Sequence, residues 1–246
     1  MTLTSNSIAM FLLLIIFVII LFPLAFIGYR LICFHRSAYA KQTGKTFLST
    51  WDNKGAKGEY FLGLELEKFD PNGKMLFNAY IPRPDGTTSE IDAILVSKSG
   101  VYVFENKNYS GWIYGKIEDK VWTETFHRNA KYHFLNPIQQ NYGHIEALRV
   151  FLDMPVEAFV PVVVFGDNAE FKDIRAADAI LTKTSQVASC LKSLEATSRV
   201  QLTDAAIETA YRLLYPCTQV SDEVKTAHVN RIKANRRYYA RKKAKL

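Results

Sequence analysis

The sequence predicts a mixed α/β domain over residues 54–215, preceded by one transmembrane helix. Two observations carry this: a long uncharged run near the start, and an order of one helix, several short strands and then alternating helices and strands. The run from Ile8 to Tyr29 (IAMFLLLIIFVIILFPLAFIGY) holds 22 residues without a charge. About 20 apolar residues cross a hydrocarbon core of about 30 Å. A secretory signal has an apolar region of about 7–15 residues after a basic start, whereas here no Lys or Arg precedes the run and no small-residue cleavage site follows it. A buried core helix would carry a polar stripe. Arg30, Arg36, Lys41 and Lys45 follow the span before the first acid, Asp52. The positive-inside rule therefore keeps everything after residue 30 in the cytoplasm. The expectation is a single-pass membrane protein, with residues 8–29 in the bilayer and 30–50 as a juxtamembrane linker. Pro23 is tolerated within a membrane helix.

The 246 residues carry 31 Lys plus Arg against 24 Asp plus Glu, a net charge of +7. Aromatic residues at 13% and charged residues at 22% exclude disorder, collagen-like repeats and coiled coil. Cys33, Cys190 and Cys217 make neither a metal cluster nor a disulfide scaffold, which fits a reducing compartment. Residues 224–246 hold nine Lys or Arg and no acid, and without them the chain is slightly acidic. This basic tail suits phosphates of nucleic acid or anionic lipid, or is simply a solvated helix end.

Within the domain, the apolar spacing of Tyr60, Phe61, Leu62, Leu64, Leu66 and Phe69 predicts a helix over Lys54–Phe69, stopped by Pro71-Asn72-Gly73. Strands are predicted at Met75–Ile81, Glu90–Ser97, Val101–Lys107, Gly111–Ile117 and Val121–Phe126. Pro82 through Gly86 and Ser99-Gly100 punctuate them. Pro137 opens a helix to Leu152. Buried strands at Val160–Phe165 and Ala179–Leu181 follow, then helices near Ser185–Leu194 and Thr203–Leu214.

The chemistry concentrates in the hairpin SEIDAILVSKSGVYVFENKN. A two-residue turn at Lys98-Ser99 pairs Ser97 with Gly100 and sets Asp92 opposite Glu105, while a turn at Ser99-Gly100 sets Asp92 opposite Lys107. Both registers gather the three charges on one face with Ile94, Val96, Val101 and Val103. Opposed residues have Cβ atoms about 4.5–5.5 Å apart, so paired carboxylates there need a proton or a cation between them. Lys107 supplies one charge, and a hard divalent ion can supply more through oxygen ligands. The alternative is an ordinary cross-strand salt bridge. Three further pieces stand around the hairpin. They are Gly55-Ala56-Lys57-Gly58-Glu59 at a helix start, Asn136 through Asn141 opening a helix with Gln140 and His144 four apart, and the Gly111–Trp122 hairpin.

Taken in order, GAKGE, EIDAILVSKSGVYVFENKNYSGWIYG, a tryptophan and NPIQQN resemble the nuclease-related domain (NERD) family over roughly Gly55 to Leu152. The resemblance implies a restriction-endonuclease-like mixed sheet flanked by helices, with a metal site of the PD-(D/E)XK type. It implies Asp92 and Glu105 as ligands of Mg²⁺ or Mn²⁺, and Lys107 as the group that positions water or steadies developing charge. Glu59 and Gln140 would complete the site. Ala93 stands where that family commonly has histidine, and Asn106 where it commonly has threonine. The expected function is a membrane-anchored, divalent-metal-dependent nuclease acting on DNA or RNA at the cytoplasmic face. The alternative is a non-catalytic membrane-tethered module that binds nucleic acid or protein through the same fold.

Overall fold

A computed structural model of the chain describes residues 5–126, 130–176 and 179–243; residues 244–246 at the end of the basic tail lie outside them. The chain begins with α1 (Ser5–Ile16), a π-helical turn at Phe17–Leu21 and α2 (Phe22–Arg36). The stretch Ala9–Arg36 is long and apolar enough to cross a membrane, and its large side chains from Met10 to Ile27 face outward. Pro23, which has no N–H to give the preceding turn, stands just after the π-helical turn, a common way of absorbing a lost helical bond.

The last turns of α2 enter the globular part. Phe34 is completely buried, with its ring centroid 5.6 Å from that of Phe47 and 5.2 Å from that of Tyr60. The Arg30 guanidinium lies 5.0 Å over the Trp51 ring. Ser37 caps α3 (Ala38–Thr43) by accepting from the Ala40 N–H, and Gly44 ends that helix in the left-handed region. Thr46 and Ser49 form a capping box on α4 (Phe47–Asp52). Residues 30–50 therefore run from the last turns of α2 into two short helices packed on the domain.

After α5 (Lys54–Phe69) come β1 (Lys74–Pro82), β2 (Thr88–Ser97), β3 (Gly100–Lys107), β4 (Trp112–Lys116), β5 (Val121–Thr125) and β6 (Lys131–Leu135). They are followed by α6 (Pro137–Leu152), β7 (Phe159–Phe165), β8 (Glu170–Arg175), β9 (Ile180–Lys183), α7 (Val187–Thr197), α8 (Asp204–Leu214) and α9 (Asp222–Lys243). The main sheet has the order β1-β2-β3-β7-β9, antiparallel through β3 and parallel beyond it. The second sheet, β6-β5-β4-β8, is also mixed. Strands β6 and β8, absent from the sequence prediction, are largely exposed edges (KYHFL and EFKDIR) without the alternation that marks a half-buried strand.

Alternation divides the main sheet between two cores. Leu95, Tyr102, Phe104, Val162 and Val164 pack with α5, α7 and Phe34, while Ile94, Val96, Val101 and Val103 pack with Ile145 and Leu148 of α6 and Leu214 of α8. The second face leads to the charged ends of β2 and β3. Phe34→Ala should cost about 3–5 kcal/mol, as for other fully buried aromatic truncations. Urea unfolding of the full chain in detergent measures this; a change under 1 kcal/mol would mean α2 is not part of the core.

Candidate active site

The β2–β3 hairpin takes the shorter turn. Ser97 pairs with Gly100 and Ala93 with Phe104, so Lys98 and Ser99 form the turn and the alternative pairing of Asp92 with Lys107 is not adopted. Gly100, the first residue after that turn, has φ 135°, and a Cβ there would lie 3.0 Å from the Ala158 carbonyl oxygen, so the position requires glycine. One step past Ala93–Phe104, this register sets Asp92 opposite Glu105.

Glu105 is buried, 4% exposed, yet fully partnered. Its Oε1 lies 2.5 Å from Lys107 Nζ and its Oε2 lies 2.9 Å from His144 Nε2. Burial alone would raise this carboxyl, but Lys107 and His144 outweigh it and hold Glu105 down to about 2. An ionised carboxylate only accepts, so Nε2 of His144 carries the proton. The other ring nitrogen lies 2.8 Å from Ser89 Oγ, which accepts in turn from Arg83 Nη2 at 3.0 Å. Lys107 would likewise be lowered by burial, but the Glu105 and Asp92 charges keep its ammonium above its ordinary value.

Asp92 has the opposite balance. Burial first, and then the charge of Glu105, push its carboxyl well above the usual range, against the pull of Lys107 and of the Asn106 N–H that Oδ2 accepts at 2.7 Å. Across the sheet, the β1–β2 ladder runs unbroken from Lys74–Val96 to Pro82–Thr88 except at Asn78 and Asp92. Asn78 has φ 53°, a region that asparagine tolerates better than most residues. Past this point the side-chain alternation slips: Leu76 and Ala79, three residues apart, join one cluster, as do Ile91 and Ile94.

Asn78 also leads to Glu59, which the sequence placed at the site. Glu59 Oε2 accepts from Asn78 Nδ2 at 2.9 Å and Tyr39 OH at 3.0 Å, and lies 3.3 Å from Lys45 Nζ. It stands on α5 and does not line the cleft that collects the other candidates, although its charge adds to those that raise the Asp92 carboxyl. Four residues belong to that cleft of about 660 Å³: Asp92, Glu105, Lys107 and Gln140. Gln140 presents a buried Oε1 with no partner. The glycine before Glu59 makes the layers fit, since a Cβ on Gly58 would approach Asn108 Cβ to 2.7 Å and Asn106 Nδ2 to 2.8 Å.

Sequence reasoning missed several contributors to the cleft, His144, Arg83 and His228 among them. His144 was visible only as a partner of Gln140 one helical turn away. Arg83 sat in a turn, and His228 in a tail read only for its Lys and Arg, as a grip on phosphates of nucleic acid or lipid or as a solvated helix end. Burial pushes His228 below its ordinary value, so its 3.4 Å approach to Glu90 is a neutral contact rather than an ion pair.

Among the described residues no three His, Cys, Asp or Glu side chains converge as a metal cluster. The donors that line the same cleft include two carboxylates and the amide oxygen of Gln140, all hard oxygen ligands. Such a set suits Mg²⁺ or Mn²⁺, which bind through one or two carboxylates and keep waters or substrate phosphates for the rest.

The metal-free protein should therefore respond oppositely to neutralising its two carboxylates. Asp92→Asn should raise the melting temperature, increasingly so as pH climbs above the usual carboxylate range, because the native state resists losing that proton. Glu105→Gln should destabilise by about 3–5 kcal/mol, leaving Lys107 buried without its partner. Calorimetric melting in chelator across pH 5 to 8 tests both, and shifts of the same sign would refute the opposed environments.

Residues 54–166 match the model of the nuclease-related domain family. The chain is also 28% identical over 179 residues to a protein of Bacillus anthracis described as uncharacterized, a likeness covering 72% of this chain and 82% of that one. No solved structure matches.

Proposed function

We propose that this chain, with its nuclease-related domain at residues 54–166, is a membrane-anchored, divalent-metal-dependent nuclease that hydrolyses phosphodiester bonds of DNA or RNA at the cytoplasmic face. One observation carries the reading: Asp92, Glu105, Lys107 and Gln140, drawn from three elements, line a single cleft. Asp92 and Glu105 would hold Mg²⁺ or Mn²⁺, with the Gln140 amide oxygen in reach of the same space. Bound there, the ion would supply positive charge to a phosphoryl oxygen and acidify an attacking water.

The chain's own groups do the rest. Lys107, tethered to Glu105, presents a fixed ammonium to the charge that grows on the phosphate as the bond breaks. His144 fixes the plane of the Glu105 carboxylate, and the Ser89–Arg83 pair fixes His144. Glu59 acts from behind by holding Asn78 opposite Asp92, a positioning role. The apolar stretch Ala9–Arg36 and the cations after it support single-pass anchoring with the domain in the cytoplasm, and the basic tail supports a phosphate-bearing partner, nucleic acid or anionic lipid.

The second reading, a non-catalytic binding module, is favoured by one feature: both Glu105 oxygens already have protein partners. Two measurements decide. Titration calorimetry should find Mg²⁺ or Mn²⁺ binding in wild type and strong loss in Asp92→Asn, and equal affinity in both would sink the metal assignment. Lys107→Ala should reduce metal-dependent cleavage of labelled DNA or RNA by about 10²–10³, with nucleic acid affinity largely kept. Lys107→Arg should also fail, because a planar guanidinium does not replace a compact ammonium. Wild-type cleavage by Lys107→Ala would leave Lys107 a structural ion-pair partner.

A further inference from the structure

The basic C-terminal helix does not float free of the cleft. Helix α9 is fixed on β2 just upstream of Asp92. His228, 6% exposed, brings Nδ1 to 2.9 Å from Thr88 Oγ1 and sets its ring edge-on to Tyr80 at 5.5 Å. Arg231 Nη2 donates to the Thr88 carbonyl and lies 3.2 Å from His228 Nδ1. His228, Arg231 and Ile232 thereby line the same cleft as Glu105 and Lys107.

Arg83 stands in that cleft too. Its Nη2 donates to Ser89 Oγ at 3.0 Å and to the Gly143 carbonyl at 3.1 Å, while its Nε is buried without a partner. Two guanidinium groups thus border a face that also holds Asp85, Glu90, Asp92 and Glu105. Beyond Arg231 the helix continues to Lys243 through a sequence rich in Lys and Arg and free of acids. At about 1.5 Å per residue that is about 18 Å, or about five phosphates along one strand at about 3.4 Å each.

We propose that α9 is the phosphate-gripping wall of the cleft: Arg231, backed by Arg83, holds the backbone of a nucleic acid strand, and the basic helix beyond it follows the flanking phosphates. The inference rests on the nuclease reading for the identity of the strand. Position favours nucleic acid over lipid. The apolar anchor enters the domain through Phe34, in the core on the α5 face of the sheet, while Arg231 lines a cleft with residues of α6.

The test uses the full chain in detergent micelles with chelator present, so that binding is read without cleavage. Fluorescence anisotropy of a labelled DNA duplex and of an RNA strand is followed against salt. Arg231→Gln should weaken binding about equally for unrelated sequences and lower the slope of log K against log salt by about 1. Arg231→Lys should keep most of the slope. Lys192→Gln, which removes the same charge from exposed α7, should change neither quantity. Amide exchange in α9 should match wild type in free Arg231→Gln, showing that the helix stays docked, and should slow in wild type when the nucleic acid is added.

Unchanged affinity and slope in Arg231→Gln would overturn the proposal, as would an equal loss in Lys192→Gln. So would exchange in α9 that slows in nanodiscs containing phosphatidylserine, relative to phosphatidylcholine alone, but not with nucleic acid, since that marks a lipid-binding helix. A wild type that cleaves while Arg231→Gln binds normally refutes the wall and leaves the nuclease. A wild type that binds through Arg231 but never cleaves with Mg²⁺ keeps the wall and refutes the nuclease.

Discussion

A carboxylate set into an apolar sheet must either take up a proton or be surrounded by groups that stabilise its charge, and Glu105 follows the second course. Lys107 reaches it from two residues along the same strand, and His144 reaches it from α6. Each demand propagates outward. His144 needs Ser89 to fix its ring, and Ser89 is itself held by Arg83, whose second bond goes to the α6 backbone at Gly143. The packing of α6 on the main sheet and the orientation of a single carboxylate are one arrangement. Asn141 adds to it from the next turn, donating to the carbonyls of Val103 and Val162 at 2.9 and 3.2 Å.

Asp92 shows what that arrangement leaves unsolved. With Lys107 committed to Glu105, the second carboxyl is held by one backbone N–H and is driven toward its neutral form. The sheet is irregular at the same place, since the left-handed Asn78 faces Asp92 and the pleat changes sides there. A non-glycine residue in the left-handed region carries a small backbone cost, least for asparagine. That conformation is held through Glu59, which ties Asn78 to Tyr39 and Lys45 of the segment after α2.

Much of this was legible in the sequence, and the limits have physical causes. Short apolar runs between turn residues marked β1 through β3 because both faces of these strands are covered, and alternation along them gathered the charges on one face. Strands β6 and β8 escaped because exposed edges carry no such pattern. Pattern alone left the hairpin with two registers, since both put the same three charges on one face and only the pairing of Ser97 with Gly100 separates them. Glu59 fell within the expected motif, but its partners Tyr39 and Asn78 lie on other elements, so its place behind the sheet could not be read from spacing. His144 and Arg231 were hidden for the same reason: each is recognisable only from what it touches.

The burial of Phe34 bears on motion. A helix whose last turns are part of a core transmits torque, because rotating it about its axis rotates everything that core holds. With Phe34 seated among Tyr60 and Phe47, and Arg30 over Trp51, there is little slack between the apolar rod and the cleft. In a bilayer such a body would spin and tilt as one piece. Its cleft would then move only with the spin and tilt of that helix rather than explore the volume a flexible tether allows.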